Sequence, residues 1–428
     1  MKIKKLIFPL LLISSLTALS VEAKITGAFF QLHGGLINKP RSYWENELDL
    51  MQQAGMDTVI IQFSATDSSR FFGGSELLAY RFTGPFAAGK HELVIEKGPI
   101  VIYEIETTVP FSYELAGTEP IMLFGDDGEK LRDGTHTLDS AVVWGADASE
   151  PIIISLELEE PTESISILAG ALSTNQPLPE AKQVTLADQP ATATPQDDYT
   201  YLLEEAEKRN MHVWLGLKLS DNWWSGKLDL QKDCAENLAL ANELQQYYGS
   251  YASFAGWYIP HELYPSGALP KSYMNFFKDL TIGLQKTGKP VSIAPYFGAN
   301  MSPRDHGRYW ERFFKEVPLD VLMLQDGIGC HRLPVDQIPV YYKEVYAICK
   351  KYNVQFWSDL EVFDQLPGEG FSADTADFSR VKQQVLTQIP TVDKIVIFDW
   401  PHYMSPTKGA KAKKLYDSYV KWLQEPSL

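Results

Sequence analysis

The sequence predicts an α/β fold: a (β/α)8 TIM barrel with a β-sandwich domain inserted after its second strand. Short apolar runs alternate with amphipathic helical segments along most of the 428 residues, and the runs number eight. One long interval, residues 66–196, instead reads as short alternating strands. Eight strands that are each followed by a helix need crossover connections, which favour a parallel sheet closed into a barrel.

The eight apolar runs have the composition of strands buried on both faces. In chain order they read ITGAFFQLH, MDTVIIQFSA, HVWLGLKLS, FAGWYIPHE, KPVSIAPYF, DVLMLQDGIG, VQFWSDLEVF and DKIVIFDWPHY. The segments between them repeat apolar residues at helical spacing, as Trp44, Leu48 and Met51 do in SYWENELDLMQQAG. A doubly wound open sheet is the alternative, but the first strand is not followed by a glycine-rich phosphate fingerprint.

The interval at 66–196 divides the predicted barrel into two parts, residues 24–65 and 197–428. It contains runs such as HELVIEK, PIVIYEIETT and PIIISLELEE, separated by turn sequences such as GDDGEKLRDG, and it ends in a polar linker. This pattern predicts a jelly-roll-like β-sandwich. Because the loops that follow barrel strands form the catalytic face, the insertion is expected beside the site, as a packing domain or as a second contact surface.

Residues 1–23, MKIKKLIFPLLLISSLTALSVEA, have the layout of a cleavable signal peptide: lysines, an apolar run and small residues. The run is too short to predict a membrane span, so we expect an exported protein, periplasmic or extracellular, with no span in the mature chain. The three cysteines, Cys234, Cys330 and Cys349, are expected as free thiols, with a Cys330–Cys349 pair as the alternative. The net charge of -17 argues against a nucleic-acid partner.

Polar residues stand near the end of nearly every predicted strand. Because alternate strand residues point inward, and those at the C-terminal ends line the mouth of a barrel, these residues predict a site at that mouth. The candidates for binding a substrate are His33, Gln62, Lys218, Tyr296, Asp326, Asp359, Asp399 and Trp400. Two glutamates complete the set, Glu262 after the fourth strand and Glu361 in the seventh.

The segments GWYIPHE and VQFWSDLE resemble the clan of retaining glycoside hydrolases built on (β/α)8 barrels, and most resemble bacterial secreted barrels of unknown specificity. The resemblance covers residues 25–65 and 197–424 and implies that Glu262 is the acid/base and Glu361 the nucleophile. Where the clan usually has asparagine, this chain has His261, which is expected to hydrogen-bond the sugar in its place.

The resemblance implies a secreted glycoside hydrolase that cleaves glycosidic bonds in a carbohydrate substrate without a cofactor. Exposed aromatic rings suit such a ligand, because flat ring faces pack against the C–H faces of sugars. In the segment DNWWSG, Trp224 is the aromatic candidate, together with Trp400 after the last strand.

Two alternatives remain open. The first is a barrel that binds glycans without cleaving them. The second is a metal-dependent sugar-processing enzyme, although no HxH, HExxH or DxD spacing occurs. Its ligands would come from one group of side chains: His33, Glu262, Asp326, Asp359 and Glu361.

Overall fold

The structure of the protein, a computed structural model, describes most of the chain between residues 25 and 425. The predicted signal peptide and the candidate His33 lie outside the described residues. Within 25–425 the residues that are not described are 33–38, 40, 68–70, 73–77, 96–99, 108, 117–121, 124–134, 145–150, 172–180, 184–191, 196–197, 299 and 369.

Eight parallel strands close into a barrel, which confirms the predicted barrel architecture. The first strand pairs with the second and also with the last, so the sheet has no free edge. Numbered among all strands of the chain, the barrel strands are β1 Gly27–Phe30, β2 Thr58–Ile61, β14 His212–Gly216, β16 Phe254–Ile259, β17 Val291–Ile293, β18 Val321–Gln325, β19 Gln355–Glu361 and β22 Lys394–Phe398.

Helices connect the barrel strands. Each has the amphipathic pattern that the sequence predicts: in the first of them Trp44, Leu48 and Met51 are buried. Side-chain caps fix two helix starts, Asp229 and Ser302, by accepting hydrogen bonds from backbone N–H groups of the first turn. The helices are α1 Arg41–Gln53, α2 Asp198–Lys208, α3 Leu230–Tyr248, α4 Lys271–Gln285, α5 Pro303–Glu316, α6 Ile338–Tyr352, α7 Phe378–Gln388 and α8 Ala410–Leu423.

Two antiparallel sheets occupy the interval between β2 and α2, in the orders β12-β5-β10-β7 and β13-β4-β11-β6-β9-β8. Side chains of both sheets, among them Phe82, Leu93, Ile154 and Ile165, share one hydrophobic cluster. The strands are β4 Leu78–Phe86, β5 Gly89–Ile95, β6 Ile100–Thr107, β7 Phe111–Ala116, β8 Met122–Leu123, β9 Thr135–Trp144, β10 Ile152–Leu158, β11 Thr162–Ala171, β12 Ala181–Gln183 and β13 Thr192–Pro195. The predicted polar linker thus contains two short strands; a jelly-roll-like domain at 66–196 stays a prediction.

Two short ribbons extend barrel strands beyond the mouth: β3 Ala65–Thr66 pairs with β15 Lys218–Leu219, and β20 Phe363–Gln365 pairs with β21 Ala373–Thr375. A π-helical turn, Trp400–Met404, follows β22. The β20–β21 hairpin lies between β19 and α7, and the π-helical turn lies between β22 and α8.

The barrel interior is filled by a cluster of side chains that includes Phe29, Tyr258 and Trp357. In β18 the interior positions are Val321 and Met323, so Gln325 shares their face and Asp326 does not. The layer between strands and helices holds the larger core, in which Trp257 and Trp400 are completely buried. Strand alternation therefore decides which polar residues reach the mouth.

The first and last parts of the chain are joined through a buried carboxylate, that of Glu47 in α1. It accepts hydrogen bonds from Trp400 Nε1 at 2.6 Å, Ser405 Oγ at 2.7 Å and Thr407 Oγ1 at 2.9 Å. The backbone N–H of Ile25 donates to a hydroxyl of α8, at 2.7 Å. The segment after β22 is thereby fixed against the first helix.

All three cysteines are free thiols. The structure agrees with the expected state and not with a Cys330–Cys349 disulfide. Over the part of the chain that the structure describes, we find no helix with the length and apolar character that crossing a bilayer requires.

Candidate active site

Two glutamates reach the C-terminal mouth of the barrel from separate strands. Glu262 follows β16, the fourth barrel strand, and Glu361 is the last residue of β19, the seventh. Glu262 is half-buried and Glu361 is only 3% exposed. The two carboxyl groups differ in their hydrogen-bond partners, which gives them different chemistry.

Glu262 is held by two neighbours. Its Oε1 accepts a hydrogen bond from Gln325 Nε2 at 2.8 Å, and the Tyr296 hydroxyl donates a second. Burial raises the pKa of Glu262 to about 7, although the two hydrogen bonds oppose this shift by stabilising the ionised form. A carboxyl group with this pKa carries a proton for much of the time near neutral pH, as a general acid must.

Glu361 accepts a backbone hydrogen bond, from the Cys330 N–H to Oε2 at 2.8 Å. Behind the strand, Arg380 Nη1 donates to the Glu361 carbonyl at 3.2 Å and fixes the main chain. Burial, followed by the nearby Asp326 carboxyl, raises the pKa of Glu361 to about 8, and the contact with Cys330 opposes the shift.

The Cys330 N–H reaches Glu361 because residue 329 is glycine. A Cβ at Gly329 would lie 2.3 Å from the Phe363 carbonyl oxygen and 3.0 Å from Glu361 Oε2. We expect Gly329→Ala to displace this loop together with the Cys330 N–H, and to cost about 1–3 kcal/mol of stability through overpacking.

The matched control for this prediction is Gly307→Ala, because a Cβ at Gly307 meets nothing closer than 3.5 Å. Urea unfolding of both variants measures the cost. A Gly329→Ala protein as stable as wild type would show that the loop accommodates a Cβ at this position.

Asp326, a candidate sugar contact, points away from the mouth and toward α7. Its Oδ2 accepts from Gln384 Nε2 at 2.7 Å and Gln388 Nε2 at 2.8 Å, and its Oδ1 accepts from the Ile328 N–H at 3.1 Å. Burial raises the pKa of Asp326, and these donors oppose the shift. The residue acts on Glu361 through its charge, from behind the strand.

Asp359 shares a face of β19 with Glu361 and is 1% exposed. Neither of its carboxyl oxygens has a hydrogen-bond partner within the described part of the protein. Burial, followed by the charges of Glu361, Asp326 and Glu262, raises the pKa of Asp359 well above its ordinary range. Asp359 therefore keeps its proton to higher pH than an ordinary carboxyl group does.

His261 does not reach the mouth. It is 1% exposed, its Nε2 lies 2.9 Å from Asp233 Oδ2, and its ring packs edge-on against Trp223 and Phe276. Trp223 in turn donates from Nε1 to the Glu262 carbonyl at 3.0 Å. The structure thus places His261 behind the strand end, where it cannot take the role of a sugar-binding asparagine.

Two more candidates lie away from the carboxyl groups. Lys218 Nζ is 2.9 Å from Asp67 Oδ1 and 2.6 Å from Glu236 Oε2, so its charge is already paired. Trp400 is completely buried and is bonded to the carboxylate in α1 described above. Lys218 was selected for its place at a strand end, and Trp400 for its place and its aromatic ring; in the structure the first side chain pairs charges and the second packs in the core.

The remaining candidates stand near the mouth. Gln62 directly follows β2 and is buried. Strand alternation places it on the same interior face as Ile60. Asp399 is buried after β22, and its Oδ2 lies 2.6 Å from His402 Nδ1. Trp224 is 54% exposed, with its ring centroid 5.5 Å from that of Tyr296. Tyr296 links this exposed aromatic surface to Glu262.

Three residues of the site escaped the sequence analysis: Gln325, Cys330 and Arg332. The alternation of Val321 and Met323 in β18 points to Gln325, and that signal was available. Cys330 acts through its backbone N–H, which no side-chain pattern reveals. Among the described residues, no three His, Cys, Asp or Glu side chains are grouped so that they could hold a metal ion.

The closed barrel thus carries two glutamates at its C-terminal mouth. The chain belongs to the DUF4434 family, described as a domain of unknown function, whose model matches residues 176–410, more than half of the chain. No curated protein matches the chain.

Solved structures with similar folds include glycoside hydrolases. A crystal structure described as that of a "putative alpha-L-fucosidase" from Bacteroides thetaiotaomicron is 18% identical, with a TM-score of 0.57, and the match covers 94% of this chain and 93% of that one. A GH10 protein from Paenibacillus barcinonensis is 13% identical, with a TM-score of 0.35 and coverage of 54% and 82%. At these identities the likeness to the first structure concerns the fold.

Proposed function

We propose that the protein is a retaining glycoside hydrolase in which Glu262 is the acid/base and Glu361 the nucleophile. The observation that carries the proposal is the contrast between the two groups at one barrel mouth. Glu262 is a carboxyl group with a pKa near neutrality, and Glu361 has an oxygen oriented by a backbone N–H. Cleavage of a glycosidic bond needs one protonated carboxyl group and one ionised one.

In the first step Glu262 gives its proton to the leaving oxygen while an oxygen of Glu361 attacks the anomeric carbon. The glycosidic C–O bond breaks, and an ester forms between the sugar and Glu361. In the second step Glu262, now ionised, takes a proton from water, whose oxygen attacks the anomeric carbon and displaces Glu361. The anomeric configuration is retained, and both carboxyl groups return to their starting states.

The distribution of donors supports this assignment of protons. Asp326 accepts three N–H bonds of 3.1 Å or less, and Glu361 accepts one at 2.8 Å, whereas Asp359 accepts none among the described residues. N–H donors stabilise a carboxylate over the acid. The donors therefore favour the proton on Asp359 over Glu361, and Glu361 becomes the anion that attacks as the pH approaches its pKa of about 8.

We expect a bell-shaped dependence of kcat/KM on pH, with a maximum between about pH 7 and about pH 8. As pH falls, Glu361 gains a proton and no longer attacks; as pH rises, Glu262 loses its proton and no longer acts as an acid. The two apparent pKa values belong to the interacting pair. Initial rates across pH 5 to 10 check this expectation, and a flat profile over that range would contradict it.

The function is tested with a panel of aryl glycosides and of natural oligosaccharides that differ in sugar and linkage. Proton NMR of the first-formed product reports its anomeric configuration. A product of retained configuration supports the proposal, and an inverted product removes Glu361 as nucleophile. Glycan binding without turnover of any substrate on the panel would favour the non-catalytic barrel.

We further propose that residues 1–23 direct export to the periplasm or beyond and are then removed, and that residues 66–196 form a jelly-roll-like domain. The first part is supported by the lysines, apolar run and small residues of the leader. Mass spectrometry of the exported chain tests it: a mature N-terminus at residue 24 is expected, and an intact Met1 in the exported protein would contradict it.

A further inference from the structure

Arg332 is a cation held on aromatic rings at the rim of the site. Its guanidinium carbon lies 5.4 Å from the ring centroid of Tyr264 and 5.9 Å from that of Tyr296. Its Nη1 is 3.5 Å from the Tyr264 hydroxyl, and the side chain is also hydrogen-bonded to that of Cys330. The rings orient the guanidinium without neutralising it.

No carboxylate pairs with Arg332 within the part of the protein that the structure describes. Two other described cations differ in this respect: Lys218 is paired with Asp67 and Glu236, and Arg380 faces Asp364 at 3.4 Å. In a chain with 55 acidic and 38 basic residues, an unpaired guanidinium is unexpected. Apart from the N–H groups bonded to the Tyr264 hydroxyl and to Cys330, its donors are available to a ligand.

The loop after β18 fixes Arg332 relative to Glu361. The Arg332 N–H donates to the Gly327 carbonyl at 2.8 Å, and Gly327 has a φ of 69°, a conformation that glycine adopts without strain. Two residues earlier, Cys330 donates to Glu361. One compact turn thus positions both the proposed nucleophile and the cation.

Arg332 also stands close to the proposed acid. Tyr296, whose hydroxyl donates to Glu262, is one of the two rings beneath the guanidinium. Burial raises the pKa values of Tyr296 and Cys330, and the positive charge of Arg332 opposes both shifts. The guanidinium is thus adjacent to the groups that contact Glu262 on one side and Glu361 on the other.

We propose that the site takes a glycan that carries an anionic group, a carboxylate or a sulfate, on a sugar at or next to the bond that is cleaved. This inference rests on the proposed function and names its substrate class. A guanidinium binds a carboxylate or sulfate through two parallel hydrogen bonds, which a neutral hydroxyl does not reproduce. The exposed faces of Trp224 and Tyr264 are available to the sugar ring itself.

The ligand carries one such group near Arg332 and is not a dense polyanion. The whole chain has a net charge of -17, and Lys218 and Arg380 are paired with carboxylates. A densely charged polymer would meet repulsion along most of its length. A glycan with a single uronic acid or sulfated sugar needs only the Arg332 guanidinium.

The test measures binding, so that it does not depend on turnover. Calorimetry with Glu361→Gln protein compares methyl glycosides of hexoses, of the matching hexuronic acids and of the matching 6-sulfated hexoses, each in the gluco, galacto and manno configurations. The same measurements are made with Arg332→Gln and Arg332→Lys. Arg308→Gln is the control, because it removes an arginine that pairs with Asp305 on α5.

We expect at least one acidic sugar to bind roughly tenfold or more tightly than its neutral counterpart. Arg332→Gln should remove this preference, Arg332→Lys should keep part of it, and Arg308→Gln should leave it unchanged. The uronic acid and sulfate arms decide which anion is preferred. Equal binding of acidic and neutral sugars, no binding of either, or a preference that survives Arg332→Gln would overturn the inference. A protein that prefers acidic sugars and hydrolyses none would overturn only the proposed function.

Discussion

Glu361→Gln is expected to lower hydrolysis of every substrate by at least about a thousandfold, because the amide cannot form the glycosyl ester. Glu262→Gln is expected to cost roughly 10²- to 10⁴-fold on glycosides with poor leaving groups, which need protonation. On an activated dinitrophenyl glycoside, whose leaving group departs without a proton, the first step of Glu262→Gln should stay close to wild type. Rapid-quench or stopped-flow measurement of the initial burst separates that step from the second.

The contrast between substrates with poor and with activated leaving groups makes the prediction for Glu262→Gln specific. A loss caused by damage to the fold would fall equally on both classes of substrate, whereas loss of an acid depends on the leaving group. The control is Glu316→Gln, which changes a carboxyl group that is 58% exposed on α5. If Glu262→Gln slowed activated and unactivated substrates alike, the assignment of Glu262 as acid would fail.

Asp359→Asn is expected to make the protein more stable at alkaline pH. The pKa of Asp359 is raised on folding, so the unfolded chain loses this proton first, and stability is lost as pH rises from the unfolded pKa toward the folded one. The amide of the variant does not ionise, so the stability of the variant does not fall with pH for this reason. We expect the stability of the variant relative to wild type to rise between pH 5 and pH 8, by at most about 1.4 kcal/mol per pH unit. Urea unfolding at the two pH values measures it.

Asp326→Asn is the comparison, since it makes the same chemical change at the residue that follows β18, on the face opposite the interior positions. Its Oδ2 accepts two glutamine N–H groups, which an amide NH₂ in that place would oppose. We expect this variant to lose about 1–3 kcal/mol at pH 5 through unsatisfied buried donors, and to regain less stability relative to wild type at pH 8 than Asp359→Asn does, because the donors oppose the rise in the pKa of Asp326. Equal effects of the two substitutions would show that hydrogen-bond donors do not distinguish the two carboxyl groups.

Periodicity was sufficient to predict the barrel and its two mouth glutamates. Eight apolar runs set the strand count, and the step of two residues from Asp359 to Glu361 placed both on one face. The step of four residues from Tyr258 to Glu262 likewise predicted that both share a face, and Tyr258 lies in the barrel interior. The alternation of side chains along a strand depends only on local backbone geometry. It can therefore be predicted from a single sequence.

Partners across the fold could not be predicted in this way. Lys218 and His261 stand at strand ends, yet each is paired with an acidic residue of α3, and Trp400 is bonded to a carboxylate of α1. These pairings depend on how distant elements pack, which the local pattern does not specify. Asp326 was selected as a polar residue at the end of the sixth strand, although the alternation of Val321 and Met323 in β18 favours Gln325.

The closure of the barrel has a consequence for synthesis of the chain. β1 obtains its second hydrogen-bonded neighbour only from β22, and the contacts of Glu47 need residues 400, 405 and 407. A growing chain therefore cannot complete its sheet until nearly all of it has left the ribosome. Until then β1 keeps an open edge, a state in which a strand readily pairs with other chains. A nascent chain stopped before residue 394 should be degraded by proteases that the finished protein resists.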